Sequence, residues 1–264
     1  MKLIRYIFRL IGFSLTLSIG TVIVLLIGWV RTGSDRAKLG PKIVSQMARM
    51  ALKIVGVKMT VDRPEILRDH VGFIFSNHTS YMDIVVMMAF EPVRYVAKNE
   101  IKRMFFVGRL AWAIDCVFVK REKKESRQAA RSTLGQLDSY KPAIVLYPEG
   151  RTAPIGKLQP FRKGAFEIAQ EAGIAYLPVS MIYSHPHLVD WRSVPFFTAL
   201  WNIMSRDYVL EATMVVHDPV TPTAADDPAE LCDATRAEML YTLTTKGNYE
   251  PEPILGMAGS KQPV

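Results

Sequence analysis

The stretch Ser76–Asp83, "SNHTSYMD", sets a histidine and an aspartate five positions apart between two apolar runs. An imidazole, with an ordinary pKa of about 6.5, can take a proton from a hydroxyl at neutral pH when a partner fixes its tautomer. Asp83 is the available partner for His78. A plainer pattern fits the same residues: Ser80-Tyr81-Met82-Asp83 is a capping box ahead of an apolar helix, in which Asp83 serves backbone N–H groups.

A second group lies in "LYPEGRTAPIGKLQPFRKG". Gly150 permits close backbone approach, and Arg151 offers a planar fork to an anion. Phe161-Arg162-Lys163-Gly164 opens a helix whose free N–H groups favour negative charge. A turn with a solvated basic face accounts for these residues equally well.

Positioning such groups requires a scaffold, and the chain supplies an alternating one. "VGFIFS", "VRYVA", "CVFVK", "AIVLYP", "IAYLPVSMI" and "YVLEATMVV" read as strands; "MDIVVMMAF", "SRQAARSTLGQL", "KGAFEIAQEAG" and "PAELCDATRAEMLYTLTT" read as helices. The alternation predicts an α/β fold, a mostly parallel sheet covered by helices, with active residues where strands end. The aromatic segment 184–207 reads as an irregular lid or lipid-facing insertion. Three parts follow: membrane-anchoring helices over 1–58, a catalytic-sized domain over 59–248 and a flexible tail over 249–264.

Residues 11–30, "IGFSLTLSIGTVIVLLIGWV", carry no charge and match the roughly 20 residues a bilayer-crossing helix needs. They read as a retained anchor, because the apolar run has no small-x-small cleavage site. A basic amphipathic helix follows, with Leu39, Ile43, Met47, Met50 and Ile54 on one stripe and Lys42, Gln46, Arg49 and Lys53 on another, suited to a headgroup surface. The net charge of +8 is uneven: residues 1–60 carry ten Lys/Arg against Asp35 alone, whereas residues 211–264 are acidic. A basic N-terminal half beside a lipid-seeking stretch points to anionic lipid or a phosphorylated substrate, at the cell membrane with the body on the cytoplasmic side. Nucleic acid is disfavoured, since no recognition motif accompanies the charge. Two cysteines, Cys116 and Cys232, form no framework and fit a reducing compartment.

Taken together, the motifs resemble those of the glycerolipid acyltransferases, in particular the 1-acylglycerol-3-phosphate (lysophosphatidic acid) acyltransferase family. Asn77 to Asp83 is similar to the family's N-H-x-S-x-x-D motif. Tyr147 to Thr152 resembles F-P-E-G-T-R with Arg and Thr transposed, Phe161 to Gly164 resembles F-K-x-G, and Leu177 to Ser180 resembles the V-P-V block. Lys98 to Arg121 resembles the second block, with Phe105 where the family usually has Pro and Asp115 where it usually has Gly. The match runs over residues 71–182.

The resemblance implies acyl transfer from a thioester, on acyl carrier protein or coenzyme A, to the hydroxyl of a lysophospholipid, with no cofactor or metal. His78 would act as base and Asp83 as its orienter, Ser80 serving as a cap and not a nucleophile. Lys98, Arg121, Glu149, Gly150 and Arg151 would handle the glycerol phosphate, with backbone N–H groups near Gly150 facing the oxyanion. Phosphatidic acid is the expected product. The two departures lie in the acceptor-related block, and residues 184–220 also resemble members acting on lyso-ornithine lipid. Two other classes compete: a metal-dependent membrane hydrolase using His78, Asp83, His185 and His187, and a non-catalytic lipid-binding protein with a degenerate body.

Overall fold

Strand β2 (Phe73–Ser76) is buried along its whole length, with Phe73 and Phe75 facing one side and Ile74 the other. This continuous apolar run suits a strand covered by helices on both faces. In the computed structural model, which describes residues 1–30, 34–119, 132–135, 137 and 139–251, this strand is the centre of a seven-stranded sheet. It pairs in parallel with β5 (Ile144–Leu146) and β6 (Tyr176–Tyr183). β3 (Arg94–Lys98) and β4 (Val117–Val119) continue the parallel run. β7 (Leu210–Val216) runs antiparallel to β6, and β1 (Val57–Val61) is parallel to β7. The order is β1-β7-β6-β2-β5-β3-β4. The predicted α/β class and all six predicted strands are present; β1 is an additional edge strand, half exposed, with Lys58 and Thr60 on its solvent side.

Eight helices are described: α1 (Lys2–Val30), α2 (Ser34–Val55), α3 (Pro64–Asp69), α4 (Met82–Phe90), α5 (Phe105–Ala113), α6 (Gly164–Glu171), α7 (Phe196–Ser205) and α8 (Pro228–Lys246). On one face of the sheet Val86 and Met87 of α4 and Val44 and Leu52 of α2 cover Ile74, Val145, Leu177 and Met181. On the other, Phe166 of α6 and Cys232 of α8 close over Phe73, Phe75 and Tyr176. The ring centroids of Phe75 and Tyr176 are 4.7 Å apart and those of Phe75 and Phe166 are 4.8 Å apart. The predicted helix over 126–137 lies largely outside the described residues, as do Arg121 and residues 252–264.

Several expectations change. The segment 184–207 is not irregular: it holds a 3₁₀ turn (Pro186–Leu188) and α7. The carbonyls at the C-terminal end of α7 receive the bases of α1: Arg5 donates to Ser205 O at 3.0 Å, and Arg9 to Met204 O and Arg206 O at 3.0 and 2.7 Å. Cations suit the negative end of a helix dipole. The face of α2 differs too. Val44, Ala48, Leu52 and Val55 are buried, whereas Leu39 and Met50 of the predicted apolar stripe are exposed. Arg49 explains the rotation, since its guanidinium turns inward to cap α4 at Ala89 O (2.6 Å) and Phe90 O (3.1 Å). Nor is the start of the predicted tail loose. Glu250 N donates to Gly156 O at 2.8 Å, and the Tyr249 ring packs beside Leu158 and Leu243.

α1 is long and apolar enough to cross a membrane, yet one side of it is attached to the domain through Tyr6, Leu10, Phe13 and Val24. The opposite side exposes Ile4, Phe8, Ile11, Leu15, Ile19, Val22 and Leu26, a single stripe at helical spacing over about six turns.

Close helix approach is set by glycine. A Cβ on Gly40 of α2 would stand 2.0 Å from the carbonyl oxygen of Ala113 at the end of α5. Gly40→Ala should therefore lower stability by about 1–3 kcal/mol through overpacking. Gly164→Ala, at a helical position with nothing within 4 Å, should be neutral or slightly stabilising. Thermal unfolding of both variants in detergent checks the contrast.

Candidate functional site

The C-terminal ends of β2, β5 and β6 deliver the chemistry-bearing residues to one edge of the sheet. Ser76 ends β2, and the chain turns through Asn77, His78, Thr79 and Ser80 before α4 begins at Met82. Asp83 is fully buried in the first turn of α4. Its Oδ2 accepts from His78 Nδ1 at 2.9 Å and from the backbone N–H groups of Thr79 and Ser80 at 2.8 and 2.9 Å. Ser80 Oγ accepts from Met82 N at 3.2 Å. Asp83 thus pairs with His78 and also serves backbone N–H groups, those of the turn just ahead of α4, and Ser80 is buried with its Oγ on the first N–H of the helix. His78 Nε2 has no partner among the described residues.

Two tyrosines complete the arrangement, and neither was singled out from the sequence. Tyr183, at the end of β6, donates from its hydroxyl to Asp83 Oδ1 at 2.7 Å. Burial first, then the charge of Asp83, hold this phenol well above its ordinary pKa, so it stays a donor. Tyr249 spans the turn: its hydroxyl accepts from Asn77 Nδ2 at 3.0 Å and lies 2.9 Å from Thr79 Oγ1. Asn77 exchanges two further bonds with the backbone of Met181, at 3.0 and 2.7 Å, fixing the turn to β6. Strand β6 reads as core throughout, and the only sequence cue to Tyr183 is a polar atom at an apolar position.

Behind His78, the Tyr147 ring stacks at 4.0 Å and 18°. Its buried hydroxyl has no hydrogen-bond partner among the described residues. Glu149, two residues on, is 2% exposed. Its two oxygens accept from His78 N at 2.6 Å and Gln159 N at 2.9 Å. It therefore holds the His78 turn through the backbone. Burial pushes its carboxyl up to about 7, helped by the charge of Asp83 and opposed by the two backbone N–H bonds and Arg236. The loop is also tied back by Ala153 N, which donates to His78 O at 2.6 Å.

The remaining predicted residues separate. Gly150 takes φ +70° with Arg162 packed against it, a Cβ there meeting Arg162 Nε at 2.8 Å. Its own N–H is spent on Tyr147 O at 2.9 Å. Arg151 is exposed, with Nη2 on Gln159 Oε1 at 3.1 Å. Lys98 ends β3 at the same sheet edge, exposed and separated from β2 by β5. Arg121 lies outside the described residues.

The two departures in the second block have structural reasons. Asp115 has φ +57°, a left-handed turn for which Gly is the easy choice and Asp a tolerated one, and Arg94 sits 3.7 Å from its carboxylate. Phe105 occupies the first position of α5, where Pro fits equally well, and is 65% exposed beside Phe106.

Other polar groups are structural. His217 links Ser180 Oγ (2.9 Å from Nε2) to Glu238 (2.9 Å from Nδ1), but Ser180 is wholly enclosed, so no substrate reaches this Ser-His-Glu array. Cys116 is pushed up to about 12 by burial, which leaves it inert. Among the described residues no set of three or more His, Cys, Asp or Glu is arranged to hold a metal, and His185 contacts Ser184 and Tyr208 instead.

The model of the family described as Acyltransferase matches residues 58–182. A lyso-ornithine lipid O-acyltransferase from Rhodobacter capsulatus is 27% identical over 208 residues, 74% of each chain. A 1-acyl-sn-glycerol-3-phosphate acyltransferase from Neisseria meningitidis is 26% identical over 172 residues, 62% of this chain and 66% of that one. Among solved structures, the 1-acyl-sn-glycerophosphate acyltransferase PlsC from Thermotoga maritima superposes with a TM-score of 0.73 at 19% identity, covering 92% of this chain and 96% of that one. At that identity the likeness speaks for the fold.

The raised Glu149 carboxyl has a measurable consequence. A carboxyl that keeps its proton longer when folded adds native stability that declines as pH rises from about 4.5 to about 7. Glu149→Gln removes this ionisation, so chemical unfolding between pH 4 and 8 should show a flatter dependence for the variant than for the wild type. Parallel profiles would place the titration elsewhere.

Proposed function

Because the chain belongs to the acyltransferase family, we propose that the His78–Asp83 pair transfers an acyl chain from a thioester to the free hydroxyl of 1-acylglycerol-3-phosphate, giving phosphatidic acid. The observation that carries this reading is the 2.9 Å contact of Asp83 Oδ2 with His78 Nδ1, which leaves Nε2 unpartnered at the strand edge. With Nδ1–H donated to the carboxylate, Nε2 is the basic nitrogen. It takes the proton of the acceptor hydroxyl as that oxygen attacks the thioester carbonyl. The C–S bond breaks as the tetrahedral intermediate collapses, and His78 returns the proton to the departing thiolate. Asp83 stabilises the imidazolium between these steps, and Tyr183 holds Asp83 from its other oxygen.

No serine or cysteine acyl intermediate is part of this route, in keeping with the enclosed Ser80 and Ser180. The donor is a thioester of acyl carrier protein or coenzyme A. The exposed stripe of α1 and the exposed Met104, Phe105, Phe106, Val107 and Phe197 lie against lipid, at the cytoplasmic face of the cell membrane. A helix with one side packed on its own domain suits a leaflet surface better than full immersion. Lyso-ornithine lipid is a second acceptor to consider, since the Rhodobacter capsulatus relative of that name matches a larger share of the chain. The phosphate acceptor is preferred because Arg151 and Lys98 stand exposed at the site edge.

His78→Ala should abolish transfer in detergent-solubilised protein supplied with a labelled thioester and a panel of lysolipids, while leaving vesicle binding intact. Phosphatidic acid as the main wild-type product supports the assignment; preference for lyso-ornithine lipid overturns the acceptor, and full activity in His78→Ala overturns the dyad. Tyr183→Phe keeps the ring and removes the bond to Asp83. It should lower kcat by about tenfold, the worth of one hydrogen bond to a charged group, with the KM values held and the acid limb of the pH–rate profile displaced.

A further inference from the structure

Resting on that reading of the acceptor, we propose that Arg192, which lies outside every family-like motif of the sequence, is a specificity-determining residue that binds the anionic headgroup of the acceptor together with Arg151. The segment before α7 is built to present it. Leu188, Val189 and Asp190 are buried, and the ring of Trp191 packs edge-on against Tyr81 of the catalytic turn, with centroids 6.0 Å apart. Asp190 turns the chain outward: its Oδ1 accepts from Arg192 N at 3.1 Å and its Oδ2 from Ser193 Oγ.

The exposed guanidinium that results donates from Nη1 to Thr152 O at 2.7 Å. The same peptide group, through Ala153 N–H, donates to His78 O at 2.6 Å. Arg192 is therefore one peptide unit removed from the backbone of His78. Arg151 is the residue preceding Thr152, and it contacts Gln159, whose own N–H holds Glu149. Among the described residues neither Arg151 nor Arg192 forms an ion pair with a carboxylate. Two unneutralised planar forks flanking the loop that carries the base call for a phosphate monoester, or the carboxylate of an amino-acid headgroup. Selectivity then follows from charge, since an acceptor with a hydroxyl in place of the anion gains nothing from either arginine.

Arg192→Gln tests this, because it removes the charge and keeps a polar side chain at an exposed position. With 1-acylglycerol-3-phosphate the KM should rise about tenfold or more, the equivalent of one charge-assisted bond. The kcat, the donor KM, the melting temperature and the KM for uncharged monoacylglycerol should stay within twofold, and Arg192→Lys should restore part of the loss. In the absence of thioester, titration with sn-glycerol 3-phosphate should show weaker binding to Arg192→Gln than to wild type. An unchanged acceptor KM overturns the proposal. So does a joint fall of kcat and melting temperature, which marks a clamp on Thr152, or an equal change with monoacylglycerol or donor, which assigns the charge to the membrane or the thioester. If the KM effect appears with lyso-ornithine lipid and phosphate acceptors are not used, Arg192 keeps its role and the phosphatidic acid assignment falls. If wild type uses no acceptor, the functional reading falls, and the glycerol phosphate titration alone decides for or against Arg192.

Discussion

A carboxylate sealed from water is costly unless every lone pair has a donor, and the structure is organised around meeting that demand at Asp83. Its four donors come from the His78 ring, the N–H groups of Thr79 and Ser80, and the Tyr183 hydroxyl. They are brought together only when β2 ends at Ser76, α4 starts within one turn, and β6 lies beside β2 in the observed register. The same requirement explains why Asn77 is bonded twice to Met181 and once to Tyr249, since any slip of the turn against β6 would strand the charge. Pre-organisation of the His78 ring is thus a by-product of satisfying a buried ion.

The neighbouring groups show what this arrangement costs. Glu149 is buried against the backbone of His78 with its carboxyl raised to about 7, and the Tyr147 hydroxyl is enclosed without a partner among the described residues. Unsatisfied or perturbed groups of this kind are rare in cores and gather at sites of function. Away from the sheet edge the chain is conventional: β2 alternates its side chains between two apolar layers, and basic side chains of α1 and α2 close the C-terminal ends of α7 and α4.

How far the sequence could be read follows from the range of the interactions. His78 and Asp83 are five residues apart and share one turn, so local spacing reveals them. Tyr183 and Tyr249 reach the same turn from 100 and 172 residues away, and nothing near them marks the contact. Six of the strands are legible through their apolar runs, whereas β1 alternates with the exposed Lys58 and Thr60 and shows no such run. The periodicity of α2 misled because Arg49 spends its charge on α4, which rotates the buried face toward Val44 and Leu52. Segment 184–207 looked irregular because its aromatic residues and prolines follow no single period, yet its 3₁₀ turn and α7 are regular and its arginine is placed by tertiary contacts. Asp115 and Phe105 read as changes in an acceptor block, but backbone conformation accounts for both.

Membrane attachment and chemistry are joined through the same helices. The apolar stripe of α1 faces outward while its bases lock onto the end of α7, the helix that follows the Asp190–Ser193 turn beside the loop that holds His78. A lysolipid held at a leaflet surface would therefore meet the sheet edge with its headgroup toward the arginines. The central claim is that acyl transfer is direct, with His78 acting on the acceptor hydroxyl and no covalent enzyme intermediate. Single-turnover mixing of stoichiometric protein and acyl thioester without acceptor, monitored for free thiol and by intact-protein mass, tests it most directly. The account predicts no burst of thiol and no mass increase until the lysolipid is added; a stoichiometric burst with an acyl adduct on the protein would contradict it.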